Sequence, residues 1–185
     1  MENTVLDTIL ARSSIRAYTG EPLTCEQLAA LKAAALASPT AMNRQDQRFV
    51  FITDREVIDQ IDKAVFAMIL KKNDKDMIGR IMQRGGKTLY NAPLLVCIFA
   101  KPAHFAGVDA GIAVQDIALA AKSLGLDSCI LGMPAMAFAP DNGYDLVSFL
   151  GVPVGMEFMI AIAVGHRAMD KAPHEVNEAH IIEVK

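Results

Sequence analysis

Val5, Leu6, Ile9 and Leu10 recur at helical spacing over residues 4–12, behind Asn3 as a cap, so the chain is expected to open on a short amphipathic helix. A polar, irregular stretch follows over residues 13–22. Thr24 and Gln27 then make a capping-box pair ahead of Leu28, Leu31 and Ala35, which predicts a helix to about Ala37, ended by Pro39. Residues 49–53 read as a buried strand, and Asp54 caps a helix carrying Val57, Ile58, Ile61, Val65, Met68 and Ile69. Residues 71–87 are mixed and basic, with Gly79, Gly85 and Gly86 as breakers. They fit a helix with a mobile flank, or a lid over a site.

Residues 93–99 form a continuous apolar run, the pattern of a central strand. Residues 109–124 make a long helix dense in Ala and Gly, stopped by Gly125. A short strand at 128–131, a short helix at 144–150 and a strand at 158–164, placed in mid-sheet, complete the pattern. The tail from His166 is polar and closes on Ile181, Ile182 and Val184. Strands separated by helices predict a layered arrangement of α and β elements, and 185 residues suffice for one domain, here 1–185.

Composition sharpens this only in part. Hydrophobic residues make up 52% of the chain, which calls for a deep core or a large surface buried between subunits. The net charge of −3 and a pI of about 5.8 offer nothing to nucleic acid or an anionic membrane. Cys25, Cys97 and Cys129 are widely spaced and odd in number, as expected of reduced thiols in a cytoplasmic protein. The first residues do not read as a signal peptide, and no apolar run approaches the roughly 20 residues that span a bilayer.

The familiar phosphate-binding and hydrolase motifs are missing: no G-x-G-x-x-G follows a strand, and neither G-x-x-x-x-G-K-[ST] nor G-x-S-x-G occurs. His174 and Glu178 share a helical spacing, but two such ligands do not make a metal site, and none is expected.

Two clusters carry the chemistry that is left. Arg12, Ser13, Ser14 and Arg16 put two guanidinium forks and two hydroxyls within five residues at a helix end. The planar donors of Arg match phosphate oxygens in pairs, although an Arg at a helix C-terminus also simply complements the dipole. The second cluster runs over residues 38–45 and offers the amides of Asn43 and Gln45, which suit the alternating donors and acceptors of a flavin ring or its ribityl chain. An ordinary Asn-bearing loop has the same composition.

The order of these segments resembles the nitroreductase family. The likeness rests on Arg12-Ser13-Ser14-Ile15-Arg16-Ala17-Tyr18, on Ser38-Pro39-Thr40 with Asn43 and Gln45, and on Ala92-Pro93 before the apolar strand. Further stretches at residues 109–126, 150–153 and 161–165 extend it over most of the chain. The resemblance implies an α+β fold, with a central mostly antiparallel sheet flanked by helices, and an intertwined homodimer binding FMN at the subunit interface. It implies that Arg12, Ser13, Ser14 and Arg16 hold the phosphate and ribityl end. Pro39, Thr40, Ala41 and Asn43 would come from the partner subunit to meet the ring, and Leu131 and Gly132 would lie against its reactive face.

The implied activity is a ping-pong transfer of hydride from NADH or NADPH through FMN to a nitroaromatic, quinone or related small acceptor, with no catalytic side chain needed. An FMN-storage protein without turnover, its ring face covered by Phe105, Phe138 or Met133, and a flavin destructase share the same cofactor site. Two departures stand out. Asp46-Gln47-Arg48 replaces the family's usual Pro-Trp, and the C-terminal cation that reaches the phosphate is Lys171, His174 or missing.

Overall fold

A computed structural model describes residues 4–139, 142 and 145–184. Four strands form one sheet in the order β1-β2-β4-β3: β1 (Gln47–Ile52), β2 (Leu94–Ala100), β3 (Asp127–Leu131) and β4 (Glu157–Gly165). Every neighbouring pair is antiparallel. Alternating strands and helices can suggest a parallel sheet, but here each strand runs against its neighbours. Two helices, α3 (Arg55–Lys72) and α4 (Lys75–Gln83), lie between β1 and β2, and β2 returns in the opposite sense. One helix, α5 (Ala106–Ser123), joins β2 to β3, which run the same way with β4 inserted between them.

Side-chain alternation along each strand divides the core in two. Leu95, Cys97, Phe99, Cys129, Leu131, Ala161 and Ala163 point to the face covered by α3, α4 and the 133–136 turn. Leu94, Val96, Ile98, Ile162 and Val164 point to the other, under α5 and under α2 (Cys25–Ala37). All seven residues of β2 are buried, as the unbroken apolar run requires. Each large aliphatic side chain enclosed there contributes about 1.5–3 kcal/mol. β4 lies in mid-sheet, where its apolar run placed it.

Local signals set the helix starts. The Thr24 hydroxyl accepts the Gln27 N–H at 3.1 Å while Gln27 Oε1 accepts the Thr24 N–H at 2.9 Å, the reciprocal box that begins α2. Asp54 Oδ1 accepts the N–H groups of Glu56 and Val57 and begins α3. The 71–87 region is more ordered than its glycines imply. Gly79 sits inside α4, where the Asp74 cap and buried Ile81 outweigh its weak propensity. α5 begins one turn earlier than the sequence suggests, at Ala106. The short helix expected at 144–150 is α6, Leu146–Phe149; Tyr144 and the proposed Asn3 cap lie outside the described residues.

The turn before β2 is tied down by a buried carboxylate. Asp62 Oδ1 accepts from Thr88 N at 2.7 Å, from Leu89 N at 3.0 Å and from the Thr88 hydroxyl. Lys87 reaches Asp59 at 2.9 Å and Asp62 at 3.7 Å, closing the network toward solvent. The opening helix α1 (Thr4–Ala11) rests on α5 but buries none of its residues: Val5, Leu6, Ile9 and Leu10 stay 43–64% exposed. Among the described residues no helix is long and apolar enough to cross a membrane.

Candidate functional site

After α1 the chain runs beside β3. Ser14 bridges to Ser128, and Ile15 donates its N–H to the Ser128 carbonyl at 3.0 Å. Tyr18 anchors the far end of this segment. Its buried hydroxyl lies 2.9 Å from the Ile15 carbonyl and 3.2 Å from that of Ala163, and burial pushes the phenol far above its ordinary range, so it stays a neutral donor.

The C-terminal tail folds back over the same segment. Thr19 N donates to the His166 carbonyl at 3.0 Å, Ala168 N to the Ala17 carbonyl at 2.9 Å, and Arg16 N to Met169 Sδ at 3.3 Å. The Ser13 hydroxyl, itself buried, donates to the Lys171 carbonyl at 2.9 Å. Ser13 thus holds the tail, and its hydroxyl proton is committed there. These contacts bring Lys171 to the arginine cluster; they do not extend to His174, which is exposed.

What the cations share is Cys129. Burial raises this thiol, and the effect is opposed by the nearby charges of Arg16, Lys171 and Arg12 and by a hydrogen bond with Ser14. Arg16, Lys171, Arg12 and Ser14 therefore all lie close enough to this buried thiol to act on it. Among the described residues none of the three cations has a carboxylate partner. Arg167 next door does, pairing with Asp127 and Asp170. Uncompensated positive charge in a chain of net charge −3 is an electrostatic footprint for a dianion, and forked guanidinium donors fit phosphate oxygens in pairs.

The 38–45 loop has a different character. Met42, Asn43 and Gln45 all take left-handed backbone conformations, at φ 54, 51 and 50. For residues other than Gly such a conformation costs about 1–2 kcal/mol, with Asn the best adapted. Hydrogen bonds enforce the shape. Asn43 N donates to the Thr40 carbonyl at 2.9 Å, Gln45 N to Thr40 Oγ1 at 3.0 Å, and Gln45 Nε2 to Asn43 Oδ1 at 2.7 Å. Pro39 and Asn43 are exposed, and Thr40 and Ala41 are half-buried.

Within one chain the two clusters stand apart. Arg12–Tyr18 lies where β2 begins, opposite Val164 and near Ser128; the loop feeds β1 at Gln47, which pairs with Ala100 at the other end of β2. Seven strand residues at roughly 3.4 Å each span about 20 Å. Leu131 and Gly132 close β3 in the stretch between them, Leu131 buried and Gly132 exposed at the start of a 3-10 turn. Phe138, half-buried, is stacked on Phe158 at 5.1 Å and set edge-on to Phe99 at the margin of the core.

An antiparallel sheet between two helical layers, with the tail folded back over the arginine-bearing segment after α1, defines a recognisable class. The sequence profile of the Nitroreductase family matches residues 9–166, and the chain belongs to that family. A crystal structure of a nitroreductase with bound FMN from Desulfitobacterium hafniense is 33% identical to the chain. It covers 100% of both chains with a TM-score of 0.95. A nitroreductase with bound FMN from Bacteroides fragilis is 26% identical, with 100% of both chains covered and a TM-score of 0.87. The NADPH-flavin oxidoreductase of Vibrio harveyi is 24% identical over 97% of this chain and 72% of its own length.

Proposed function

We propose that the protein is an FMN-dependent oxidoreductase that takes hydride equivalents from NADH or NADPH and delivers them to a nitroaromatic, quinone or related small acceptor. The observation that carries this reading is the tail folded onto the Arg12–Arg16 segment, which brings Lys171 to Ser13, with no carboxylate partner for Arg12, Arg16 or Lys171 among the described residues. The family match and the FMN bound in the Desulfitobacterium hafniense relative support it.

The donor set fits FMN. Arg12, Arg16 and Lys171 would neutralise its phosphate, and Ser14 would add a hydroxyl. Ser13 would keep Lys171 in place through the tail. Leu131 and Gly132 would lie along the ring. When bound, FMN supplies a two-electron acceptor that the nicotinamide and the final acceptor visit in turn, a ping-pong scheme. This chain's residues position the ring and neutralise the phosphate, and no side chain needs to hold a proton in flight.

The reading includes a homodimer. Pro39, Thr40, Ala41 and Asn43 stand about 20 Å from the arginine cluster of their own chain, by the strand length above, so they would meet a ring held by the partner. The uncovered apolar residues of α1 and the exposed Ile181, Ile182 and Val184 fit burial against that partner.

The visible spectrum of the purified protein tests the proposal, before and after anaerobic NADH or NADPH. A flavin spectrum that bleaches and recovers with a nitroaromatic or quinone is expected. A colourless protein that takes up no FMN on titration would refute it. A flavin never reduced by either nicotinamide would favour storage, and rapid bleaching in air with cofactor breakdown would favour a destructase.

A further inference from the structure

The strained 38–45 loop is gripped from outside by two carboxylates of one helix. Asp109 Oδ1 accepts the Ala41 N–H at 3.1 Å, and Asp116 Oδ2 accepts the Ser38 hydroxyl at 2.7 Å. Seven residues apart on α5, the two aspartates lie two turns from each other on the same face, which spaces them by about 10 Å along the helix. One therefore fixes the point where the chain leaves α2, and the other fixes the tight turn that carries Met42 and Asn43.

Packing does not do this work. A cavity of about 110 Å³ lies under the loop between Ala41, Asp46, Ala100, Phe105 and Asp109. Gln47 Nε2, buried at its edge, has no hydrogen-bond partner among the described residues. A loop with three left-handed residues above a void keeps its shape only where hydrogen bonds over-determine it. The internal bonds through Thr40 close the turn on itself, while Asp109 and Asp116 fix it relative to the sheet.

We propose that Asp109 and Asp116 are positioning residues for the flavin ring: they hold the loop whose Thr40, Ala41 and Asn43 would meet it. The inference rests on the FMN reading above. Neither carboxylate touches the cofactor. Each acts through a backbone or hydroxyl group of the loop, so its effect appears in how the ring is held.

The test compares wild type with Asp109→Ala, Asp116→Ala and Asp109→Asn by FMN titration, visible spectrum and flavin midpoint potential, with thermal unfolding as the control. Each Ala variant is expected to weaken FMN about tenfold, in keeping with one lost charge-assisted bond, and to shift both the band and the potential. Asp109→Asn keeps an oxygen acceptor for Ala41 and is expected to restore all three to near wild type. Two milder variants serve if the Ala variants do not fold. Ser38→Ala removes the Asp116 bond, together with the hydroxyl's contact to the Ala34 carbonyl at 3.2 Å, which lies within the end of α2. Ala41→Pro removes the Asp109 bond at the first position of a 3-10 turn, after an extended Thr40 that tolerates a following proline. Wild-type protein that takes up no FMN overturns the functional reading and this inference with it. Wild-type protein that binds FMN, beside folded variants with unchanged affinity, band and potential, overturns the inference alone.

Discussion

Ser13 Oγ donates to the carbonyl oxygen of Lys171 at 2.9 Å across 158 residues of sequence. Because the acceptor is a backbone atom, the Lys171 side chain can be removed without releasing the tail. Lys171→Ala and Arg16→Ala are each expected to weaken FMN binding by about 1–3 kcal/mol, the range for a lost charge-assisted contact. His174→Ala is expected to leave it unchanged. Fluorescence titration with FMN measures all three, and an unaltered affinity in Lys171→Ala would remove that residue from the phosphate site.

Asn43→Ala is expected to lower flavin affinity or shift its potential while the protein still folds cooperatively, since the side chain is exposed. Asn43 also holds a left-handed backbone at φ 51, so the substitution should cost up to about 1 kcal/mol of stability. Asn43→Gly keeps that conformation and separates the two effects: a potential that shifts in both variants belongs to the lost amide.

Asp62→Ala leaves the N–H groups of Thr88 and Leu89 and the Thr88 hydroxyl without their shared acceptor in a buried turn. A destabilisation of about 3 kcal/mol is expected from urea unfolding. Asp62→Asn retains one acceptor oxygen and should lose less. Equal losses in the two variants would show that charge, and not hydrogen-bond acceptance, holds the turn.

Asp59 gives the protein an acid-labile contact. The hydrogen bond from Lys87 holds its carboxyl below the ordinary value of 3.8; burial opposes this, and Arg55 adds to the lowering. A depressed folded-state value means that the ionised form is favoured on folding. Its contribution is complete above pH about 4 and is lost as pH falls through the folded-state value. Thermal melts of wild type and Asp59→Asn should therefore differ at pH 7, and the gap should close as the pH falls below the ordinary carboxylate value of 3.8 and through the lower folded-state one. A constant gap between them would disprove this linkage.

Much of the architecture is legible in short stretches of sequence. Thr24 with Gln27, Asp54 before its helix, and the unbroken apolar run into β2 each act within a few residues, where spacing reports structure directly. Residues 71–87 mislead because Gly79 signals a break that the Asp74 cap and the burial of Ile81 override. The Arg12 to Arg16 cluster is visible in the sequence, yet nothing local chooses between Lys171 and His174, since the tail reaches the cluster only through pairing beside Tyr18 and Arg167. The roles of Asp109 and Asp116 are hidden for a related reason. Acids two turns apart on a helix read as a solvated stripe until the fold lays a loop across them.

The tail that crosses Arg16 to Thr19 also has a meaning in time. A ribosome releases the arginine cluster early and Lys171 some 158 residues after Ser13, so the bond that ties the tail to the cluster forms only once every strand of the sheet has been made. On the proposed reading, cofactor capture follows completion of the chain and its meeting with a partner. A fragment shortened before Lys171 would keep its hydrophobic layers and lose its colour.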